Sequence, residues 1–354
     1  MCASEGTGSQ QGRPRSHVDG FPALWESCAM LVRYRSMIQD SARWDGFVFR
    51  PSDIVISTPP KCGTTWTQML CALLIFDGPE FPAPISQLSP WVDQTIRSVD
   101  DVRTIYDGQH HRRFIKTHTP LDGLPIAEGV TYVVVGRDPR DVMISMEHHF
   151  DNMDFERVLE LRGRAIGNDD LATLPPRPAV SDDPTERFRS FVRTAGYTGV
   201  VNLSAVLHHL DTAWQRRDTA NVVMCHYSDY STDLPTEIFR LAAALNIDIT
   251  HARAELLARE ASLDRMRSRT SDVIPNAGII WKDDRAFLRA GGFGEWRARV
   301  DAADLTEYDH TVNATVCADL ATWAHHGRLA SGIEPTNALT PAPQPLGTWR
   351  QLFQ

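Results

Sequence analysis

From Arg43 onward, short apolar runs rich in β-branched residues alternate with stretches whose apolar positions recur every three or four residues. Residues 53–57 (DIVIS), 114–118 (FIKTH), 130–135 (VTYVVV) and 221–227 (NVVMCHY) read as strands, and helical spacing follows near 64–76, 139–150 and 236–245. Strands with uninterrupted apolar character are buried on both faces. Their alternation with helices predicts an α/β fold, a central and mostly parallel sheet flanked by helices.

Three stretches fall outside this pattern. Residues 1–20 are small, polar and Gly-rich, the composition of a disordered leader. Residues 168–187, rich in Pro and Asp, have no clear period and read as a long loop or lid. Beyond Ser331, Pro335, Pro341, Pro343 and Pro345 favour an extended C-terminal arm over 331–354, which Trp349, Leu352 and Phe353 could dock, although a frayed tail fits as well. The remaining 21–330 is expected to form one domain.

Composition narrows the partners. With 36 Lys and Arg against 45 Asp and Glu, the net charge is -9, which speaks against a nucleic-acid partner; any anionic ligand needs a local cluster of cations. The six cysteines are scattered with no CxxC pair, and no apolar run approaches the ~20 residues of a membrane helix. A reduced, soluble, cytoplasmic protein is expected.

Chemistry concentrates where predicted strands end. In 53–66, a strand runs into Pro59-Pro60-Lys61-Cys62-Gly63-Thr64-Thr65-Trp66 and then a helix. Gly63 allows close backbone approach, Thr64 and Thr65 supply hydroxyls and amides at the helix start, and Lys61 adds a full charge: an anion site. The lysine precedes the only glycine, so this is no Walker A loop. A second unit, Gly136-Arg137-Asp138-Pro139-Arg140-Asp141, has Asp138 as N-cap, Pro139 at the first helical position and Asp141 placed to complete a capping box. By itself this run fits either a phosphate grip by Arg137 or a surface cluster of caps and salt bridges. Between the two units, Lys116 and His118 alternate onto one face just before Pro120, a cation and a titratable base at the sheet edge. A lone histidine there is as readily structural. The His pairs at 110–111, 148–149, 208–209 and 325–326 lack metal-site spacing and read as helix-surface or packing residues.

These residues resemble the cytosolic sulfotransferase family, whose members move a sulfuryl group from 3'-phosphoadenosine 5'-phosphosulfate to an acceptor. The matching segments are PKCGTTW (60–66), KTHTP (116–120), GRDPRDVMIS (136–145) and FLRAGGFGEW (287–296), in the family's order. The wording at 89–97 and 112–124 is similar to mycobacterial glycolipid sulfotransferases. The resemblance implies a P-loop-like nucleotide fold with Lys61, Cys62, Gly63, Thr64 and Thr65 at the 5'-phosphosulfate and Trp66 against the adenine. It places Arg137, Ser145, Arg289 and Gly291 at the 3'-phosphate, and Tyr227 and Ser262 as further nucleotide contacts. His118 would be the general base, assisted by Lys116, with Lys61 stabilising the leaving oxygen. The products would be a sulfated acceptor and adenosine 3',5'-bisphosphate, with no metal required.

Three departures from the family pattern stand out. Cys62 replaces a serine, and a thiol beside Lys61 is expected to have a depressed pKa and to be oxidisable. Ala290 replaces a lysine, leaving Lys282 or Arg285 to substitute. The family's dimer motif is not recognisable in residues 297–309, so a homo-oligomer is possible but not implied. The acceptor is expected to be a small molecule or lipid, possible wall residues being Trp91, Phe150, Met153, Phe155 and the 168–187 segment. The competing functions are a nucleotide-binding protein without transferase activity and a degenerate P-loop kinase.

Overall fold

The computed structural model describes residues 31–174, 181–289 and 292–335. The expected leader, most of the C-terminal arm with Trp349, Leu352 and Phe353, and positions Ala290 and Gly291 lie outside the described residues.

Four strands, β1 (Ile54–Ser57), β2 (Phe114–Thr117), β3 (Thr131–Gly136) and β4 (Val222–His226), form one sheet in the order β2-β1-β3-β4. All pairings are parallel, with Ser57 opposite both Thr117 and Val134 and Gly136 opposite His226. The strands therefore end at a common edge, where the loops after them meet. The expected sheet is realised in full, since the apolar runs leave no polar face that could tolerate solvent.

The two faces bury alternating residues. Ile54, Ile56, Phe114, Val133, Val135 and Val223 pack beneath α1 (Thr64–Ile75) and the helices Leu234–Ala244 and His251–Glu260. Val55, Ile115, Tyr132, Val134, Val222 and Met224 pack on the opposite side. There they meet α2 (Pro139–Asp151) through Val142 and Met143, α3 (Leu203–Trp214) and the helix Ala318–Ser331. A short helix, α4 (Tyr227–Thr232), follows β4. At the end of β3 a glycine is required by packing: a Cβ on Gly136 would stand 2.6 Å from the Trp323 ring. Among the described residues no helix is long and apolar enough to cross a membrane.

Within 168–187, a 3-10 turn spans Leu171–Thr173 and a helix begins at Pro184, so regular structure interrupts the segment on both sides of residues 175–180, which lie outside the described residues. Asp170 is tied down by Arg162 at 2.7 Å and by Arg35 at 2.5 Å.

The opposite end of the sheet is fastened by one buried ion pair. Asp53 precedes β1 and Arg113 precedes β2; the Arg113 Nε–H donates to Asp53 Oδ1 at 2.9 Å, with a second contact from Nη2 to Oδ2, and both side chains are about 1–2% exposed. Removing one partner leaves the other charge buried and uncompensated. Asp53→Ala is expected to cost about 3–5 kcal/mol of stability, measured as a lowered urea midpoint, while Asp53→Ala combined with Arg113→Met recovers much of the loss. A single-variant cost below about 1 kcal/mol would show that the pair does not fasten the strand ends.

Candidate functional site

The loop between β1 and α1 turns sharply. Lys61 has φ 67° and Gly63 φ 97°, both left-handed; at Gly63 a Cβ would also stand 3.0 Å from Tyr227 Cδ2. Gly63 is the N-cap of α1 and provides no side-chain cap, so the helix presents its first amides unshielded, the arrangement that favours an anion. Thr64 Oγ1 lies 2.6 Å from Thr58 Oγ1.

A cavity of about 490 Å³ opens over this turn. Its walls include Lys61, Gly63, Thr64, Thr65 and Trp66 from the first loop and helix, and Lys116 and His118 from the end of β2. Arg137 and Ser145 come from the β3 unit, and Tyr227, Ser262 and Arg289 from later segments. All the described sequence-predicted site residues except Cys62 thus share one cavity. The Cys62 side chain points into the core, fully buried, and burial pushes its thiol up to about 12. The expectation of a reactive, low-pKa cysteine is thereby corrected: removal from water outweighs the nearby Arg137 charge. The Cys62 amide donates to the Pro59 carbonyl at 3.3 Å.

The β3 unit resolves its two readings by dividing them among its residues. Asp138 caps α2, accepting from the Arg140 amide at 2.9 Å, and pairs with the Arg140 guanidinium at 2.7 Å. Asp141 does not complete a capping box; its Oδ1 accepts from the Gly294 amide at 2.8 Å and pins the late loop. Arg137 is the cation of this unit that lines the cavity, beside Asp141. It donates to the carbonyls of Lys61 (3.0 Å) and Gly292 (3.3 Å), stacks on Tyr227 at 4.3 Å, and keeps a buried Nε without a partner.

The other contacts show which groups remain free for a ligand. Trp66 meets Tyr227 and Tyr230 edge-on at 5.5 and 5.6 Å, its buried indole N–H unpartnered. Ser262 caps the helix Leu263–Ser268. Arg289 is paired with Glu295 at 2.5 Å, so this cation is already partly neutralised. Lys282 does not replace the missing lysine: its ammonium donates to the Asp151 carbonyl at the end of α2. Arg285 is exposed and is not a wall residue.

Lys61, Lys116 and Arg137 have no carboxylate partner among the described residues. Burial, then Arg137, Lys116 and Arg289, push Lys61 down to about 7; burial pushes Lys116 to about 8 against the pull of Asp93. The Lys116 ammonium rests on the Trp91 face at 4.9 Å, and the His118 ring meets the same indole edge-on at 4.7 Å. His118 Nδ1–H donates to the Thr58 carbonyl at 2.8 Å, which leaves Nε2 unprotonated as an acceptor. Burial and Lys116 hold this imidazole well below its usual pKa. The sequence reading missed His149, whose Nδ1 accepts from Lys61 Nζ at 3.2 Å. Its spacing of four from Ser145 on α2 was the available signal.

A second cavity, about 670 Å³, meets the first at Pro60, Trp91, His118, Met146 and Met153. Phe150, Phe155, Leu159, Leu171, Leu174 and Val206 supply apolar wall, and Ser36, Gln39, Tyr197, Thr198 and His209 polar groups. No Lys, Arg, Asp or Glu is among its described wall residues.

A family model described as the sulfotransferase domain matches residues 51–319. A glycolipid sulfotransferase of Mycobacterium bovis (strain BCG / Pasteur 1173P2) is 44% identical over 319 residues, covering 86% of this chain and 97% of that relative. Sulfotransferase 1A1 of Canis lupus familiaris is 23% identical over 304 residues, covering 84% and 90%. The crystal structure of retinol dehydratase in complex with androsterone and inactive cofactor PAP superposes with a TM-score of 0.58 at 21% identity, over 78% of this chain and 84% of that one. That likeness shows a shared fold.

An anion in the first cavity favours the charged forms of both depressed lysines, so their pKa values rise on binding. Binding of inorganic sulfate, which carries no titrating proton at pH 8, is therefore expected to take up protons at that pH, measured by calorimetry in buffers of differing ionisation enthalpy. Binding without proton uptake would show that neither lysine faces the anion.

Proposed function

The chain belongs to the sulfotransferase domain family, and from that premise we propose that its two joined cavities transfer a sulfuryl group from 3'-phosphoadenosine 5'-phosphosulfate to a hydroxyl on an uncharged, lipophilic acceptor. The observation that carries this reading is the convergence of Lys61, Lys116, Arg137 and His118, from three separate strand ends, on one cavity beside an uncapped helix N-terminus. The residues fit such a nucleotide. The orphaned Arg137 Nε and Trp66 indole N–H are donors in want of acceptors, and among the described residues Lys61, Lys116 and Arg137 form no salt bridge.

When bound, the nucleotide would supply an activated sulfuryl group on its 5'-phosphate. Lys61, Thr64, Thr65 and the first amides of α1 would hold that end, with Lys61 stabilising charge on the leaving oxygen. Trp66 and Tyr227 would pack against the base, with Ser262 at the nucleotide's edge. Arg137 and Ser145 would hold the 3'-phosphate, joined by Arg289 once it exchanges Glu295 for phosphate. His118, its tautomer fixed by Thr58, would take the acceptor's hydroxyl proton on Nε2, and Lys116 would stabilise the sulfuryl oxygens between the two cavities.

The second cavity sets the acceptor class in this reading, because an apolar wall with no Lys, Arg, Asp or Glu among its described residues disfavours a charged compound. The 44% identical relative is a glycolipid sulfotransferase, and a hydroxyl-bearing lipid agrees with this wall. A cytoplasmic setting belongs to the same proposal, in keeping with the free Cys62, Cys71, Cys225 and Cys317.

The test is transfer of labelled sulfate from the nucleotide donor into neutral alcohols and lipid extracts, with and without a chelator. Chelator-insensitive product formation is expected, whereas transfer of phosphate from a magnesium nucleotide would favour a kinase. His118→Ala is expected to lower kcat by about 10²–10⁴-fold while affinity for adenosine 3',5'-bisphosphate changes little; unchanged turnover would remove His118 from the mechanism. Of two acceptors differing only by a carboxylate on the apolar body, the neutral one is expected to show the higher kcat/KM, and equal values would overturn the assignment of the second cavity.

A further inference from the structure

Lys61 occupies an unfavourable place for a cation. Lys116 at the end of β2, Arg137 at the end of β3 and Arg289 in the late loop all press on it with like charge, while the nearest carboxylate of that loop, Glu295, is engaged by Arg289. His118 faces the same cavity from the β2 end, and His148 lies on α2 toward Glu295. Among the described residues the ammonium has two supports, the His149 Nδ1 at 3.2 Å and the Phe287 ring at 4.8 Å. The loop that carries it is held in the left-handed region, with its carbonyl fastened to Arg137 at 3.0 Å.

His149 is itself fixed in place. Its ring packs on Trp281 at 4.8 Å and Phe287 at 5.8 Å, and the Trp281 indole N–H is anchored on the Pro275 carbonyl at 2.7 Å. Accepting at Nδ1 leaves the ring proton on Nε2, the neutral form. Burial and the adjacent lysines hold His149 well below its usual pKa, so it remains an acceptor through the neutral range.

We propose that His149 is a positioning residue for Lys61: its neutral Nδ1 accepts an N–H of the ammonium and holds that side chain, with its proton, at the turn between β1 and α1 ready for an incoming anion. A neutral acceptor suits this task better than a carboxylate would. It supports the charged form without cancelling the charge, so the attraction for an anionic ligand is kept. It also resists the mutual repulsion of Lys61, Lys116 and Arg137, which otherwise favours either loss of the Lys61 proton or its withdrawal toward solvent.

The kinetic part of the inference rests on the sulfuryl-transfer reading; the titration of Lys61 does not. The test uses the full chain labelled with 13C at lysine Cε, the Lys61 signal being assigned by its loss in Lys61→Arg. His149→Phe keeps the ring packing and removes the acceptor, and is expected to lower the Lys61 titration midpoint by about one pH unit. His149→Asn, with Oδ1 near the former Nδ1, is expected to restore most of it. If the wild-type protein transfers sulfate, the basic limb of kcat moves down with the midpoint in His149→Phe and returns in His149→Asn. An unchanged Lys61 midpoint in a folded His149→Phe overturns the proposal whatever the activity. A shifted midpoint in a protein with no transferase activity supports the positioning role and overturns the reaction instead.

Discussion

Like charges crowded at one edge of a parallel sheet are the constraint on which the rest of the site depends. Parallel strands end together, so whatever follows them is brought within a few ångströms regardless of distance in sequence. Here the residues so gathered are Lys61, Lys116 and Arg137, and among the described residues none forms a salt bridge with a carboxylate. The surrounding structure answers this with neutral supports: aromatic faces at Trp91, Phe287 and Tyr227, backbone carbonyls for Arg137, and an imidazole for Lys61. Each supports a cation without spending its charge. At the opposite edge Asp53 and Arg113 pair directly, with the Arg50 amide and the Val48 carbonyl as further partners.

The acid–base chemistry follows from the same crowding. His118 is held neutral first by burial and then by Lys116, both of which make its imidazolium costly, as the proposed base requires. The Thr58 carbonyl then decides which nitrogen is free. Since Thr58 precedes the loop that carries Lys61, one backbone segment orients both the His118 imidazole, the proposed base, and the cation across from it.

Much of this was legible in the chain because the informative residues are contiguous. Gly63, Lys61 and the two threonines sit on one turn, and the strands stand out through unbroken β-branched runs. The residues that escaped notice are those whose role depends on a distant partner. His149 looked like a packing residue because its lysine is 88 positions away. Cys62 looked reactive because sequence adjacency to Lys61 says nothing of which way a side chain turns, and it turns into the core. Asp141 sat at the right spacing for a capping box, yet the Gly294 amide from the late loop claims it. Local rules predict what neighbours offer one another; they are silent when tertiary contacts make a better offer.

The proposed acceptor cavity bears on the direction of turnover. In the proposed reaction a neutral alcohol enters and leaves as a permanent anion, better hydrated than its precursor. Among its described residues, the wall that accommodated the apolar body has no Lys or Arg with which to retain the new charge. Lys61, Lys116 and Arg137 line the first cavity, where the phosphates of the spent nucleotide would compete for them. Product is thus the poorer guest of the site that made it, and water is the better host.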